Sequence, residues 1–459
     1  WAPLERRDRI FLMSRAGTLN DLPRIPRSRN LTVKPFALAR RAEGVNLAAA
    51  DRGSEADGGL DVKYGITPQA TLDLTFRTDF SDADVDQEQV NLTRFPVFFP
   101  EQREFFLENS GTFTFGDVTA PGFPRSGSSL RDFTLFHSRT IGLKSGRPVP
   151  LIGGVRLSGR AESFEFGVLD VQSEAFEGGL AENFSVARLR RHFLGNADVG
   201  LLVANRQATG DSAAGAYSRS FGADLNMRVA QYLFISTYGA LTQSPGAGDE
   251  AARVAVGWRD ELWNTSAMVR HVGADFAPRM GFIRRTGIRQ WYGTFGAHPR
   301  VPLGSVLEIN PFVEADYTTD LQGNRLTWDG TLGFGVTYRD GGNLALRYID
   351  RRELLEAPFV RPQVTIPVGD YHIREGSASY TSNESRALSG GAGVSGGGYY
   401  GGSRFTLNGR VSWQPDYHLT IDASGERNAI SVQGTEFTAD LYTARLKYAF
   451  STTLYFGAF

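Results

Sequence analysis

Cysteine is absent from this chain of 459 residues, which excludes a disulfide framework, a thiolate zinc site and a cysteine nucleophile. No stretch approaches the roughly 18 consecutive apolar residues that a transmembrane helix requires. An excess of one charge is also lacking, because 49 Lys and Arg residues balance 50 Asp and Glu residues. The composition therefore gives no indication of nucleic-acid binding. We expect no cofactor and no metal ion.

Glycine and aromatic residues are abundant instead. The 53 glycines make up about one residue in nine, above the usual share of about 7%. Each glycine inside a helix costs about 1 kcal/mol, so long helices are disfavoured. The shares of aromatic (12%) and charged (22%) residues disfavour an intrinsically disordered chain. The composition therefore favours a folded chain built from strands.

Apolar and polar residues alternate with the period of a β-strand in many places. Phe221, Ala223 and Leu225 alternate with Gly222 and Asp224, which gives this segment one apolar and one polar face. The same period recurs in residues 60–78, 253–259 and 332–348. We count roughly 18 to 22 such segments, most of about 8 to 12 residues.

Short and long connections join these segments. Asp340-Gly341-Gly342-Asn343 predicts a tight hairpin turn. Longer loops rich in Gly, Ser and Asp are predicted at residues 207–216, 244–251 and 352–370. Alternation of short and long connections is typical of barrels that have periplasmic turns and extracellular loops.

Two all-β architectures compete, a soluble propeller or sandwich and a transmembrane barrel. Charged residues on the polar face of nearly every segment favour a water-filled lumen, and no repeat near about 40 residues supports a propeller. Aromatic residues near segment ends resemble interfacial girdles: Tyr64, Tyr232, Trp258, Trp263, Tyr348 and Tyr448. We predict one domain over residues 1–459, an all-β transmembrane antiparallel β-barrel of roughly 18 to 22 strands.

Many predicted inward positions carry arginine. These are Arg156, Arg188, Arg190, Arg228, Arg253, Arg259 and Arg347. They could line a lumen that selects anionic or sugar solutes, or they could pair with carboxylates across the lumen and hold its shape. The near-equal charge totals favour pairing.

Residues 79–117 interrupt the strand pattern. Pro96 and Pro100 exclude a central strand and a helix interior. Closely spaced phenylalanines alternate with charged residues, so the segment must bury its rings while its charges stay paired. We predict an inward-folded plug or constriction, with Arg94 and Arg103 paired to luminal carboxylates; a compact external loop is the alternative. The predicted plug residues are Arg94, Phe95, Phe98, Phe99, Glu101, Arg103, Phe105, Phe106 and Glu108.

Four acidic residues precede the plug at alternate positions. These residues are Asp82, Asp84, Asp86 and Glu88. On a strand their side chains would lie on the same face. A Ca²⁺ site is one interpretation, but Gln87 and Thr93 occupy positions where an EF-hand loop needs Gly and Glu. We favour an acidic stripe that pairs with the arginines of the plug.

Residues 79–116 also carry a resemblance. DFSDADVDQEQ followed by VNLTRFPVFFPEQREFFLENSGTFTFG resembles the signature of the domain of unknown function 5916 family, and residues 59–65, 136–142 and 276–282 resemble further family landmarks. Gln102, Glu104 and His137 depart from the family pattern, in which Lys, Pro and Tyr are usual. The resemblance implies a bacterial outer-membrane β-barrel that follows a domain similar to a family-nine carbohydrate-binding module. It implies no activity.

Catalytic motifs are weak. Gly391-Ala392-Gly393-Val394-Ser395-Gly396 matches G-x-G-x-x-G, but glycines follow where a nucleotide site needs a helix. The six histidines show no metal-ligand spacing. His137, Ser138 and Arg139 form the one suggestive group for a hydrolase on the barrel wall or rim.

The ends of the chain give two expectations. Trp1-Ala2-Pro3 indicates that a leader and the carbohydrate-binding-like domain lie outside this sequence. The terminal Phe459 resembles a signal to the barrel assembly machinery, but a chain that stops within the barrel is the favoured interpretation.

These observations predict a non-enzymatic outer-membrane barrel. It would act as a channel, or as a membrane anchor or scaffold for an envelope assembly; an outer-membrane hydrolase is the alternative. Expected partners are outer-membrane lipid, lipopolysaccharide, the assembly machinery, and other envelope proteins or saccharides.

Overall fold

The computed structural model describes residues 30–42, 53–77, 89–116, 133–144, 147–176, 179–210, 216–230, 232–452 and 454–459. Within these ranges the chain is built almost entirely from strands, and the predicted all-β class is confirmed. The acidic stripe of Asp82, Asp84, Asp86 and Glu88 lies outside the described residues.

The strands vary from two to fifteen residues. In chain order they are β1 (Leu31–Ala42), β2 (Gly53–Thr67), β3 (Ala70–Phe76), β4 (Phe133–Thr134), β5 (Leu143–Lys144), β6 (Arg147–Pro148), β7 (Leu151–Ala161), β8 (Phe164–Ser173), β9 (Ala181–Phe193), β10 (Ala197–Thr209), β11 (Tyr217–Val229), β12 (Leu233–Ser244), β13 (Ala247–Arg259), β14 (Trp263–Val272), β15 (Phe282–Ile283), β16 (Ile288–Ala297), β17 (Val306–Asp320), β18 (Arg325–Tyr338), β19 (Asn343–Leu355), β20 (Phe359–Val360), β21 (Thr365–Ile366), β22 (Gly369–Thr381), β23 (Leu388–Tyr399), β24 (Gly402–Trp413), β25 (Leu419–Val432), β26 (Thr435–Ala449) and β27 (Tyr455–Ala458).

Twenty-one of these strands form one antiparallel sheet in which each strand pairs with the next in the chain. The six two-residue strands pair separately, β4 with β15, β5 with β6 and β20 with β21. Within the described residues β1 and β27 do not pair with each other, so the sheet has two free ends. The helix α1 (Glu104–Leu107) and two 3₁₀ turns, Ser110–Phe113 and Ser138–Thr140, lie outside the sheet. None of the helical turns described is long and apolar enough to cross a membrane.

The predicted period of two is present, and it separates two faces of the sheet. On β14, Val269 is exposed while the next residue, Arg270, is buried. We call the side that carries Val269 the exposed face and the side that carries Arg270 the covered face. On β13, Val254 belongs to the exposed face and Arg253 to the covered face.

Turn chemistry explains where the predicted connections succeed and fail. The hairpin between β18 and β19 forms at Asp340-Gly341-Gly342, and Gly341 has a φ of +91°. The predicted long loop 244–251 is wrong, because β12 continues to Ser244 and β13 begins at Ala247. Pro presets φ and Gly accepts a positive φ, so Pro245 and Gly246 (φ +73°) suffice for a two-residue turn. The predicted loop 352–370 contains the end of β19 and the β20–β21 hairpin.

The principal apolar cluster lies on the covered face. It joins side chains from residues outside the sheet, such as Phe106, Phe115 and Phe133, to strand residues such as Leu202 and Tyr238. A second cluster surrounds Leu355, Ile366 and Tyr400. The covered face is therefore packed where non-strand residues lie against it, which places residues 89–116 and 133–144 at the centre of the candidate site.

Candidate functional site

Residues 89–116, which we call the crossing segment, contain no strand in the structure. Pro96 and Pro100 fall in its extended first half, and α1 with the 3₁₀ turn Ser110–Phe113 forms its second half. Both halves are held by polar contacts and by ring packing.

The first half begins with an arm, residues 91–95, that is attached to β19. Arg94 Nε donates to Glu353 Oε1 at 2.7 Å. The Tyr400 hydroxyl donates to the other oxygen of the same carboxylate at 3.0 Å. Glu353 is 4% exposed, so both contacts lie in a largely dehydrated environment, where an ionic hydrogen bond is strong.

Two further side chains hold the backbone of the arm. The Arg361 guanidinium donates to the carbonyl oxygens of Asn91 and Thr93. The Tyr399 hydroxyl donates to the carbonyl oxygen of Leu92 at 3.0 Å. These contacts fix the path of the arm without depending on its own side chains.

Phe95 lies among three guanidinium groups. The Cζ atoms of Arg94, Arg284 and Arg285 are 5.0, 4.7 and 5.7 Å from the centre of its ring. Burial, and next the positive charge of Arg94, lower the pKa of Arg285 to about 10. The guanidinium of Arg285 therefore stays charged near neutral pH, but its charge is poorly compensated.

Phe98 and Phe99 contact residues beyond the crossing segment. Phe98 stacks on His137 at 4.5 Å between ring centres and meets Phe282 edge-on at 5.2 Å. His137 Nε2 lies 3.0 Å from the carbonyl oxygen of Phe99. Burial lowers the pKa of His137, which favours a neutral ring that donates to this carbonyl.

Glu101 and Arg103 pair with each other. Arg103 contacts both carboxylate oxygens, at 2.7 and 2.6 Å, and also donates to the carbonyl oxygens of Ile141 and Ser138. The Ser138 hydroxyl donates to Glu101 at 2.7 Å. Arg103 therefore pairs with an acid of its own segment, two residues away on the same side of the extended chain.

The second half of the crossing segment packs against β2 and β7. Phe106 is buried, and the guanidinium of Arg103 lies 4.3 Å from the centre of its ring. Arg156 on β7 donates to the carbonyl oxygens of Phe105 and Glu108. Glu108 also forms an ion pair with Lys63 on β2.

The arginines of the covered face pair mainly with carboxylates on nearby strands. Arg156 contacts Asp73 at 2.8 Å on the adjacent strand β3. Arg188 on β9 contacts Asp224 on β11 at 2.7 Å, across β10. Pairing of these residues is as expected, but it joins neighbouring strands and does not cross a lumen. Arg347 is exposed on the same face.

The possible hydrolase group gains no support from its contacts. His137 contacts the carbonyl of Phe99, and Ser138 contacts Glu101. Among the described residues, no group of three or more His, Cys, Asp or Glu side chains could hold a metal ion. Gly391–Gly396 lies within β23 and is a glycine-rich strand.

Sequence reasoning missed the partners of the arm. Glu353, Arg361 and Tyr400 belong to residues 352–370 and to the turn after β23, which the sequence marks only as a loop and a glycine-rich stretch. No local pattern in the sequence connects them to residues 91–95.

The comparisons with known proteins identify a family over the part of the chain that contains the arm. Residues 30–190 match the model of DUF5916, a domain of unknown function. The resemblance drawn from the sequence is thereby confirmed for this range. No curated protein matches the chain.

Several solved structures resemble this chain at low similarity. The siderophore receptor PirA from Acinetobacter baumannii is 8% identical with a TM-score of 0.45, over 92% of this chain and 74% of that one. A ferric enterobactin receptor (PfeA) from Pseudomonas aeruginosa is 10% identical with a TM-score of 0.46, over 93% and 74%. A BenF-like porin from Pseudomonas fluorescens Pf-5 is 9% identical with a TM-score of 0.34, over 67% and 95%.

Proposed function

We propose that this chain is a bacterial outer-membrane β-barrel that acts as a transport channel, with the crossing segment as its constriction. The distribution of polarity over the two faces carries the proposal. Val254, Val269 and Leu332 on the exposed face are 55%, 50% and 58% exposed, whereas Arg188 and Arg253 on the covered face are 2% and 1% exposed. A water-soluble sheet would place these residues the other way round.

Contact with lipid would explain why the exposed face is apolar. Large apolar side chains are exposed on most of the sheet strands, from Leu31 on β1 to Tyr455 on β27. Contiguous apolar surface of this extent is not maintained in water by a monomeric protein. In an outer membrane this face would meet acyl chains of phospholipid and lipopolysaccharide.

The spacing of aromatic residues supports the same interpretation. On β18, Trp328 and Tyr338 have the parity of one face and are ten residues apart. Ten residues extend about 33 Å, which becomes roughly 25 Å of height for a strand tilted as in membrane barrels. Trp291, Tyr317 and Trp328 contact each other in sequence at one end of this span. Trp263 and Phe295 stack nearer the other end.

The crossing segment requires the sheet to curl. Its residue Leu92 contacts Tyr399 on β23, and Glu104 contacts Lys34 on β1. Sixteen strand steps separate β1 from β23, or about 77 Å in a flat sheet at about 4.8 Å per step. Twelve residues extend at most about 43 Å, and two side-chain contacts do not make up the difference. A barrel with the segment inside satisfies both contacts.

We propose that the two free ends of the sheet meet. An unpaired strand edge in lipid costs several kcal/mol for each backbone group, so closure is strongly favoured. Twenty antiparallel steps separate β1 from β27, which makes the two end strands run in the same direction. Direct pairing between them would therefore be parallel.

A polar cavity favours a channel over a membrane anchor with a closed lumen. It has a volume of about 430 Å³ and lies on the covered face of β23 to β26, away from the principal apolar cluster. Its lining includes Ser389, Arg410, Asp422 and Thr443. Water and polar solutes would find hydrogen-bond partners here, whereas the side of the sheet near β7 to β14 is filled by apolar packing.

Single-channel conductance in planar bilayers tests the proposal. Wild type and a variant lacking residues 95–108 should both conduct, and the deletion should give the larger current because it removes Phe98, Phe99, Phe105 and Phe106. Heat-dependent mobility on gels verifies that each protein is folded. If both folded proteins fail to conduct, the channel is excluded and a membrane anchor or scaffold becomes the better explanation.

A further inference from the structure

A small polar cavity lies between the arm and strands β16 to β19. Its volume is about 130 Å³, and Phe95, Arg285, Gln290 and Thr327 are among the residues that line it. At about 30 Å³ for each water molecule, this space holds about four waters or one compact polar group. The cavity therefore can accept a small ligand without displacing protein atoms.

Three carboxylates line the cavity, Asp316, Asp329 and Glu353, and each already has a partner. Asp329 contacts Arg351 at 2.5 Å. Glu353 contacts Arg94 and also accepts from Tyr400. Asp316 accepts from Gln290 at 2.8 Å and from Thr318 at 3.3 Å. Asp329 and Glu353 are consequently not available to neutralise a further cation in the cavity.

Arg285 has no such ionic partner among the described residues. Its guanidinium donates to the Thr327 hydroxyl at 2.9 Å, and no carboxylate of the described residues lies within 4.0 Å of it. It faces Arg94 and Arg284 around Phe95, which adds like charge. A guanidinium that is mostly removed from water favours an anionic ligand at this point.

Gln290 adds a second requirement. It is 5% exposed, and its Nε2 donates to Asp316 Oδ2 at 2.8 Å. Because a carboxylate accepts only from the amide nitrogen, this bond fixes the orientation of the amide group. Its Oε1 is buried at the cavity without a hydrogen-bond donor. A ligand that satisfies it must carry an O–H or N–H group.

We propose that the cavity binds a protonated phosphate group, either free hydrogen phosphate or the phosphate of a small monoester. Arg285 donates to its anionic oxygens, and its hydroxyl donates to Gln290 Oε1. The inference rests on the proposed function, because it makes anionic solutes the class that this constriction recognises. Such a site would also bind phosphate in preference to sulfate, because sulfate has a similar shape and charge but no hydroxyl near neutral pH.

Calorimetric titration of the folded protein in detergent tests the site, with inorganic phosphate and sulfate as probes at pH 7. Wild type should bind phosphate at least about tenfold more tightly than sulfate, because a site built for a hydroxyl rejects an analogue without one. R285Q should weaken phosphate binding by at least about tenfold, and R285K should retain part of it. Q290L should weaken phosphate to the level of sulfate. R347Q is the matched control, since it removes an arginine of the same face outside the cavity.

The binding measurements test the phosphate site whether or not the protein conducts ions. Absence of phosphate binding by wild type, equal affinities for phosphate and sulfate, or unchanged binding by R285Q would each overturn the proposal. A parallel titration with glucose 1-phosphate separates the two sources of the group, because only a cavity open to the lumen admits the monoester. It is carried out below about pH 6, the second pKa of a phosphate monoester, so that the phosphate keeps its hydroxyl. Phosphate binding by a protein that forms no channel would contradict the proposed function and leave the site in place.

Discussion

Arg188 and Asp224 form a doubly hydrogen-bonded ion pair directly over Gly200, at 2.7 and 2.8 Å. The pair spans from β9 to β11, and Gly200 belongs to the strand between them. On the opposite side, the Arg188 guanidinium lies 5.5 Å from the centre of the Phe115 ring, which belongs to the crossing segment. The ion pair is thus enclosed between the sheet backbone and the crossing segment.

This enclosure predicts that Gly200 does not tolerate a side chain. A Cβ atom at this position would lie 2.6 Å from both Arg188 Nη1 and Asp224 Oδ1. Phe115 blocks retreat of the guanidinium, so Gly200→Ala should separate the pair and lower the free energy of unfolding by about 3 kcal/mol. Urea unfolding in detergent measures this change.

Gly239→Ala is the matched control for this prediction. Gly239 lies on β12 with no atom within 4 Å of the Cβ position. We expect a change within about 0.5 kcal/mol there. Equal stability of the two variants would show that the ion pair moves aside at little cost.

The attachment of the arm predicts a specific effect of Glu353→Gln. The substitution keeps the shape of the side chain but removes the charge that Arg94 contacts. Losing one partner of a buried pair should loosen the arm by about 1–3 kcal/mol, or roughly ten- to hundredfold in its opening equilibrium. Hydrogen exchange of residues 89–100 should accelerate accordingly, and the channel should open more often.

Glu356→Gln provides the comparison for the arm, because Glu356 is exposed and three residues further along the chain. It should change neither exchange nor conductance. Faster exchange in both variants would indicate a general loosening of residues 353–368, and the role of Glu353 in holding the arm would be lost.

The strand architecture was predictable because its cause is local. Alternation such as Phe221, Ala223 and Leu225 against Asp224 acts over adjacent residues, and the structure places these residues in β11. The turn at Asp340-Gly341-Gly342 is equally local. Pro245-Gly246 carries the same kind of information, but the small and polar residues around it have the composition of a longer loop.

For the crossing segment, the sequence predicts the types of contact but not the residues that are contacted. The alternation of rings and charges indicated a segment that packs its rings and pairs its charges, and Phe106 and Arg103 do so. Glu353, the partner of Arg94, is 259 residues away, in a range that the sequence predicts as a loop. Contacts over such a separation depend on how the whole sheet curls, which no local pattern encodes.

A charged residue placed on the exposed face, halfway along a strand, tests whether lipid covers this face. Leu332 lies near the middle of β18 and is 58% exposed. If lipid covers it, Leu332→Arg should reduce the stability of the folded protein in lipid vesicles by about 2–4 kcal/mol. Leu303→Arg is the matched control, because Leu303 is 64% exposed in the connection between β16 and β17. Equal effects at both positions would contradict a membrane-embedded exposed face.

Glu101 predicts how the crossing segment responds to acid. Burial opposes its ionisation, but the hydrogen bonds and charge of Arg103 outweigh this and hold the pKa of Glu101 below its usual 4.5. A carboxyl with a lowered pKa in the folded state contributes stability that is complete above 4.5 and is lost as the pH falls through the lowered value. Protection of residues 99–107 from hydrogen exchange should therefore be constant from pH 7 to about pH 5 and decline at lower pH.

Glu101→Gln separates this effect from general acid unfolding. The variant should lose protection of residues 99–107 at neutral pH and should lack the decline in acid that wild type shows, because no titrating group then faces Arg103. Glu104→Gln is the control, since the Glu104 side chain is 74% exposed and its ion pair with Lys34 is open to water. It should keep the profile of wild type. An unchanged pH profile in Glu101→Gln would assign the acid response to another group and would contradict the role given to the Glu101–Arg103 pair.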